Sequence, residues 1–453
     1  MSIFLTLALS GISCAAEPTV HGAVSSEDFT SSSKCSSCHA IHRSQWDGSM
    51  HAYAFEDPFY RKELELASEE TSGALDVFCT RCHTPIGVVG GEIPPVDGSQ
   101  LSDVANEAIQ CDFCHSVSES AGVGDGSFVV TPGNIKWGPF DDSRSAYHAS
   151  EYSQLQTSAE FCGMCHNVKH PGNGLVLDDT YTAWENGPYA QAGVQCQDCH
   201  MTSGITKFEA DPGRAGSGAP KRDHIWTHHF VGGNVFMYDI LDENEQKDMA
   251  IERLQRAATL DIIVPGTAST GDNVTIDISI TNSGAGHKLP TGLTEARQMW
   301  LDVSVMDAEG MEIYRSGSLD GTGSIIDAEI YHSVLEDSGG EVTTKIWEAE
   351  TIVSDNRIPP TETVAQQHTF ILPEDAVDPI SVDVELLYRS APQTMIDELF
   401  GDGVYEVPAI EMATASGYIN GRPDSSETIP SIGLLGLFMV IAAAFYHRKH
   451  TGR

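Results

Sequence analysis

The chain of 453 residues is too long for one ordinary domain and suits two folded domains with additional segments at its ends. Its 65 acidic residues against 25 Lys and Arg give a formal net charge of -40, which excludes nucleic-acid binding because phosphate recognition needs clustered cations. Partners of such a surface are cationic or neutral, and the acidity itself reads first as a solvated face that keeps the protein soluble. Eleven cysteines leave disulfides, zinc or another prosthetic group open until their spacing is read.

Residues 1–16 begin with a short apolar stretch that ends in small residues, and they read as a secretory signal. Residues 17–235 are rich in Cys, His, Gly, Ser and Pro and poor in strand-like alternation. Within them lie Cys35-Ser-Ser-Cys38-His39, Cys79-Thr-Arg-Cys82-His83, Cys111-Asp-Phe-Cys114-His115, Cys162-Gly-Met-Cys165-His166 and Cys196-Gln-Asp-Cys199-His200. Residues 236–258 suggest a connecting helix, with Met249, Ile251, Leu254 and Ala257 at helical spacing. From 259 to 411, segments such as NVTIDISITNS and ISVDVELLYRS alternate apolar with polar residues between turns, the pattern of an all-β immunoglobulin-like sandwich. Residues 412–428 read as a stalk, and 429–446 are an uncharged run just long enough to cross a bilayer as a transmembrane anchor or to serve as a sorting tail. The basic residues of 447–453 would then stay in the cytoplasm, leaving the folded chain outside.

The five CxxCH motifs carry the chemistry. Two thiols three residues apart reach the two vinyl groups of one porphyrin, and the next residue, His, is carried under the ring to ligate iron. Chance at this composition predicts about 0.01 such motifs. Zinc sites built from CxxC pairs have no reason to place His directly after the second Cys five times. The motifs therefore imply five covalently bound haem c groups, with His39, His83, His115, His166 and His200 as proximal ligands. About 33 residues per motif cannot build a conventional core, so the fold expected is a haem-packed domain, mostly coil with short helices. Each iron needs a sixth ligand to shuttle electrons without binding substrate. Thirteen histidines outside the motifs supply enough, while Met164 and Met201 sit too close to their own motifs to reach the far face.

The segment CSSCHAIHRSQWDGSMHAYAFEDPFY, followed in order by FCGMCHNVKHPGNGLVLDDTY, YAQAGVQCQDCHM, HHFVGGN and GAGHKLPTG, resembles the extracellular multihaem c-type cytochromes. That family includes outer-surface cytochromes of metal-reducing bacteria and extracellular cytochromes of archaea, and the resemblance covers residues 34 to 300. It implies that His51, His148, His170, His228 and His287 are the distal ligands, with His229 in reserve for His228. Some relatives polymerise, so the resemblance also admits a homo-oligomer or filament.

The leading reading is an electron conduit at the cell surface, in which bis-His haems relay electrons between a membrane donor and a redox protein or extracellular acceptor. The alternative is a nitrite- or hydroxylamine-type reductase with one open haem. None of the motifs is of the CxxCK type, which weighs against the ammonia-forming nitrite reductases.

Overall fold

A computed structural model describes residues 19–20 and 23–421. The expected signal segment at 1–16, the run at 429–446 and the basic tail at 447–453 lie outside the described residues. Among the described residues no helix is long and apolar enough to cross a membrane.

The N-terminal part has the expected short helices and coil. Its longest helix, α1 (Pro58–Thr71), starts where Pro58 fixes the first helical φ and the Asp57 side chain accepts from the Phe59 and Tyr60 amides. It buries Leu64 and Ala67. Leu64 packs with Ala54, Phe55 and Ala108, and a separate small apolar cluster holds Phe29, Ile86, Phe113, Phe128, Val130 and Met164. This is a thin core for such a length of chain, as the spacing of the motifs leads one to expect.

The expected connecting helix is two helices, α2 (Val235–Ile240) and α3 (Asn244–Gln255). They do not act as a spacer. Val235, Tyr238, Ala250 and Leu254 belong to the same apolar cluster as the sandwich interior, so the two parts of the chain share a core.

That sandwich is built from antiparallel strands. One sheet has the order β1-β2-β5, from Thr259–Ile263, Asn273–Thr281 and Thr363–Ile371. The other has the order β4-β3-β6-β7, from Glu312–Ser316, Gln298–Met306, Ile380–Arg389 and Ile410–Ile419. Alternate residues point inward as the pattern requires. Val274, Ile276, Ile278 and Ile280 of β2 meet Met299, Leu301, Val303 and Val305 of β3 and Val382, Val384 and Leu386 of β6 in that core.

The sandwich runs past 411, into the first part of the segment expected to be a stalk, and residues from 422 lie outside the described residues. Residues 410–419 pair along β6, from Ile380 opposite Ile419 to Tyr388 opposite Ile410. Met412 and Ile419 are buried there. Small polar residues hid this strand, because Ala413 to Ser416 offers little hydrophobic contrast between its faces.

Candidate haem-iron centres

Each CxxCH motif forms about one turn of helix, which sets two thiols and an imidazole on one side at spacings of three and four residues. The His39, His115, His166 and His200 amides donate to the carbonyls of Cys35, Cys111, Cys162 and Cys196 at 2.9–3.0 Å, and Cys79 to His83 lies within the helix Asp76–His83. Four motif imidazoles then hold their Nδ1 against a backbone carbonyl: His39 on Ala215 at 2.5 Å, His83 on Ala54 at 2.6 Å, His115 on Trp137 at 2.7 Å and His200 on Val231 at 2.9 Å. A carbonyl only accepts, so Nδ1 carries the proton and Nε2 is left with its lone pair, the arrangement a metal-bound histidine needs. Burial pushes His115, His200 and His83 below the usual imidazole range, His83 to about 4, which keeps them neutral and able to ligate.

Four motif histidines face a second imidazole. Ring centroids lie 6.4 Å apart for His39 and His148, 6.3 Å for His166 and His51, 6.5 Å for His115 and His228, and 6.4 Å for His200 and His287. Two imidazoles on one metal, each with a bond of about 2.0 Å and a nitrogen about 1.1 Å from its ring centre, stand about 6.2 Å apart. The spacing therefore fits an iron between each pair. His148, His228 and His287 likewise put Nδ1 on carbonyls, those of Ala149, Trp226 and Lys288 at 3.0, 3.0 and 2.9 Å. His42 is also 6.3 Å from His39, but it sits one helical turn away on the same face and cannot reach across a porphyrin. Its ring lies edge-on to His228 at 4.7 Å.

The local supports explain the residues around each ligand. Trp46 Nε1 donates to the Ile109 carbonyl at 2.8 Å and the Ile109 amide donates to the His51 carbonyl at 3.2 Å, which fixes the turn carrying His51. Burial pushes His51 down to about 3. The hairpin with Ala215 and Ser217 closes on the first motif, and a side chain at Gly216 would meet the His39 ring at 2.9 Å. His287 projects from the loop after β2. Asn282 holds that loop by donating to the His287 and Ile358 carbonyls at 2.8 and 3.0 Å, and a side chain at Gly284 would lie 2.0 Å from the Arg256 carbonyl oxygen.

A charged clamp joins this loop to the cytochrome part. Arg357, 4% exposed, donates to Asp179 at 2.8 Å and to both oxygens of Asp355 at 2.8 Å. Lys288 reaches the same two carboxylates at 2.9 and 2.8 Å. Tyr181, two residues after Asp179, donates its amide to the His166 carbonyl at 3.0 Å, so one network touches the supports of two sites.

His170 departs from the expected set. Its Nε2 meets the Trp347 carbonyl at 3.1 Å and its Nδ1 accepts from the Gly172 and Asn173 amides, so both ring nitrogens are used in a turn against the sandwich. His83 is correspondingly without a second imidazole among the described residues. Tyr60 of α1 instead stacks on its ring, 3.6 Å between centres and 1° between planes. Nothing in the sequence marked that stack beyond an aromatic residue in the helix after the first motif.

The sites form a connected series. The thiols of Cys35 and Cys111, of Cys82 and Cys165 and of Cys162 and Cys196 are neighbours, which joins the first motif to the third, the second to the fourth, and the fourth to the fifth. Phe230 closes the remaining gap, 5.4 Å from His228 and 4.6 Å from His51.

Residues 34–116 match the family model described as cytochrome c554 and c-prime. No curated protein matches the chain. Among solved structures, a penta-heme cytochrome c552 from Thermochromatium tepidum is similar at a TM-score of 0.62 and 19% identity, covering 86% of this chain and 99% of that one. The CARDB domain of a Pyrococcus furiosus protein, at 10% identity, 36% of this chain and 86% of that one, has a TM-score of 0.17, too low to bear on the fold. The family-model match over three of the motifs, with the fold shared with a penta-heme protein, supports a multihaem cytochrome-like N-terminal domain with haem c as its cofactor.

Proposed function

We propose that the chain is a pentahaem electron conduit, exported and held at the outer face of the cell membrane, that relays electrons between a membrane donor and a redox protein or extracellular acceptor. The observation that carries this is the set of four imidazole pairs spaced at 6.3–6.5 Å, because an iron with two imidazoles has no position left for substrate. Bound haem supplies a one-electron ferric–ferrous couple at each site. Burial keeps His51, His83, His115, His200, His228 and His287 neutral, backbone carbonyls fix seven of the imidazole planes through Nδ1, and Phe230 and the adjoining cysteines bring neighbouring sites together. The sandwich, which we take as immunoglobulin-like, contributes His287 as a ligand and so belongs to the conduit. Electron counting tests the reading. The holoprotein should accept five electrons per chain from dithionite and return them to ferric citrate without a mediator, whereas a protein that takes them up and does not deliver them is no conduit.

A reductase with one open haem is the second reading, and His83 favours it. Among the described residues no imidazole stands opposite that ring, so an iron there would keep a position for a small oxyanion or diatomic ligand. Catalytic consumption of nitrite or hydroxylamine by the reduced protein would move this reading to first place.

A further inference from the structure

Arg253 lies in α3, between the helically spaced apolar residues Ile251 and Leu254. The fold turns it inward. Its Nη2 donates to the Cys199 carbonyl at 3.0 Å, directly before the motif ligand His200, while its Nε is buried with no hydrogen-bond partner among the described residues. Neighbouring cations are treated differently. Lys247 pairs with Asp239, Arg256 with Glu252, and Lys288 and Arg357 with Asp179 and Asp355. In a chain with 65 acidic residues, this buried guanidinium has no carboxylate in ion-pair range among the described residues. An uncompensated buried charge is costly and calls for a reason.

We propose that Arg253 is a positioned fixed charge that raises the reduction potential of the haem held by Cys196, Cys199, His200 and His287, a claim that rests on the conduit reading. With haem bound there by Cys196, Cys199, His200 and His287, an electron passed on from the neighbouring haem site would take the iron from ferric to ferrous. The charge of the site falls by one and no bond is made or broken. A cation beside the site disfavours the ferric form, and a water-poor surrounding enlarges the effect. Burial lowers Arg253 only to about 10, so it stays charged at neutral pH. The site is also the terminal one on the sandwich side, linked to the series through Cys162 and Cys196, so a raised potential makes it the resting place of an electron.

The test is a spectroelectrochemical titration of the full holoprotein as wild type, Arg253→Met and Arg253→Lys, with His287→Met in each background to mark the component belonging to this site. Arg253→Met should raise the ferric-to-ferrous ratio of the marked component at a fixed potential by roughly tenfold or more and leave the other components in place. Arg253→Lys should stay near wild type. Superimposable curves for wild type and Arg253→Met would overturn the proposal, as would a lysine variant displaced as far as the methionine variant. Should Arg253→Met mature with fewer haems, Arg253→Gln takes its place beside Arg253→Lys: a shift of the marked component with Gln alone supports the fixed charge, and equal curves for the two overturn it. If His287→Met moves no component in the wild-type background, the assignment of the site has failed instead, and that result is separate from any effect of Arg253.

Discussion

Arg357→Met removes the centre of the clamp between the cytochrome domain and the sandwich. The arginine is nearly fully buried and makes three hydrogen bonds of 2.8 Å to two carboxylates. Breaking one partner of such a buried pair costs about 3–5 kcal/mol, mostly because the remaining charges are stranded. The carboxylates give an independent figure. Burial alone would push Asp355 up, but hydrogen bonds and charge from Arg357 and Lys288 outweigh it and hold the carboxyl at about 2. Set against an ordinary aspartate near 3.9, that is worth roughly 2.5 kcal/mol for Asp355, and Asp179 is lowered by the same partners. Because the folded value is depressed, this stability is fully present above pH ~4 and is lost as pH falls through ~2. Urea unfolding of the holoprotein, followed by circular dichroism, should therefore show a deficit of about 3–5 kcal/mol for Arg357→Met at pH 7. The gap should narrow by about 2 kcal/mol near pH 2.5. Added imidazole should also bind the His287 site of the variant, since the loop carrying that ligand is released. A deficit under about 1 kcal/mol, or one that does not change with pH, would refute the reasoning.

Replacing Cys79 and Cys82 by Ala should lower the intact mass by one haem and abolish most carbon monoxide binding by the reduced protein; unchanged binding would place the reactive iron elsewhere. His287→Met should keep every haem attached and raise the potential of one as thioether replaces imidazole, and His287→Gly should leave one iron responsive to imidazole; titrations identical to wild type would make His287 an ordinary buried residue. Ile276→Ala, at a fully buried position between the two sheets, should cost about 2–5 kcal/mol in urea unfolding, and a loss below that range would mean the sandwich interior closes over the cavity.

The candidate haem-attachment motifs were legible in the sequence because they are local: Cys, Cys and His within five residues are enough to mark one. The sandwich was legible for the same kind of reason, since Val274 to Ile280 and Val382 to Leu386 alternate strictly enough to fix a face. The candidate distal ligands were not local. His51, His148, His228 and His287 lie opposite motif histidines only after the chain has folded, and it was resemblance, not spacing, that nominated them. His170 shows the limit of that route, because a turn with free amides at Gly172 and Asn173 captures its ring. The contacts of Arg357 and Arg253 were not legible, although the segment DNRIPP around Arg357 looked familial. One stands in a loop of the sandwich and the other on the connecting helix, and their roles come from contacts across 178 and 54 residues of chain.

Low-temperature electron paramagnetic resonance of the oxidised holoprotein tests the central claim most directly, because each axial ligand set leaves its own spin state. Four low-spin centres per chain, one for each imidazole pair, and a single high-spin centre that disappears in the Cys79/Cys82 double variant are the expected result. Two or more high-spin centres in fully loaded wild-type protein would contradict the paired-imidazole arrangement and, with it, the conduit.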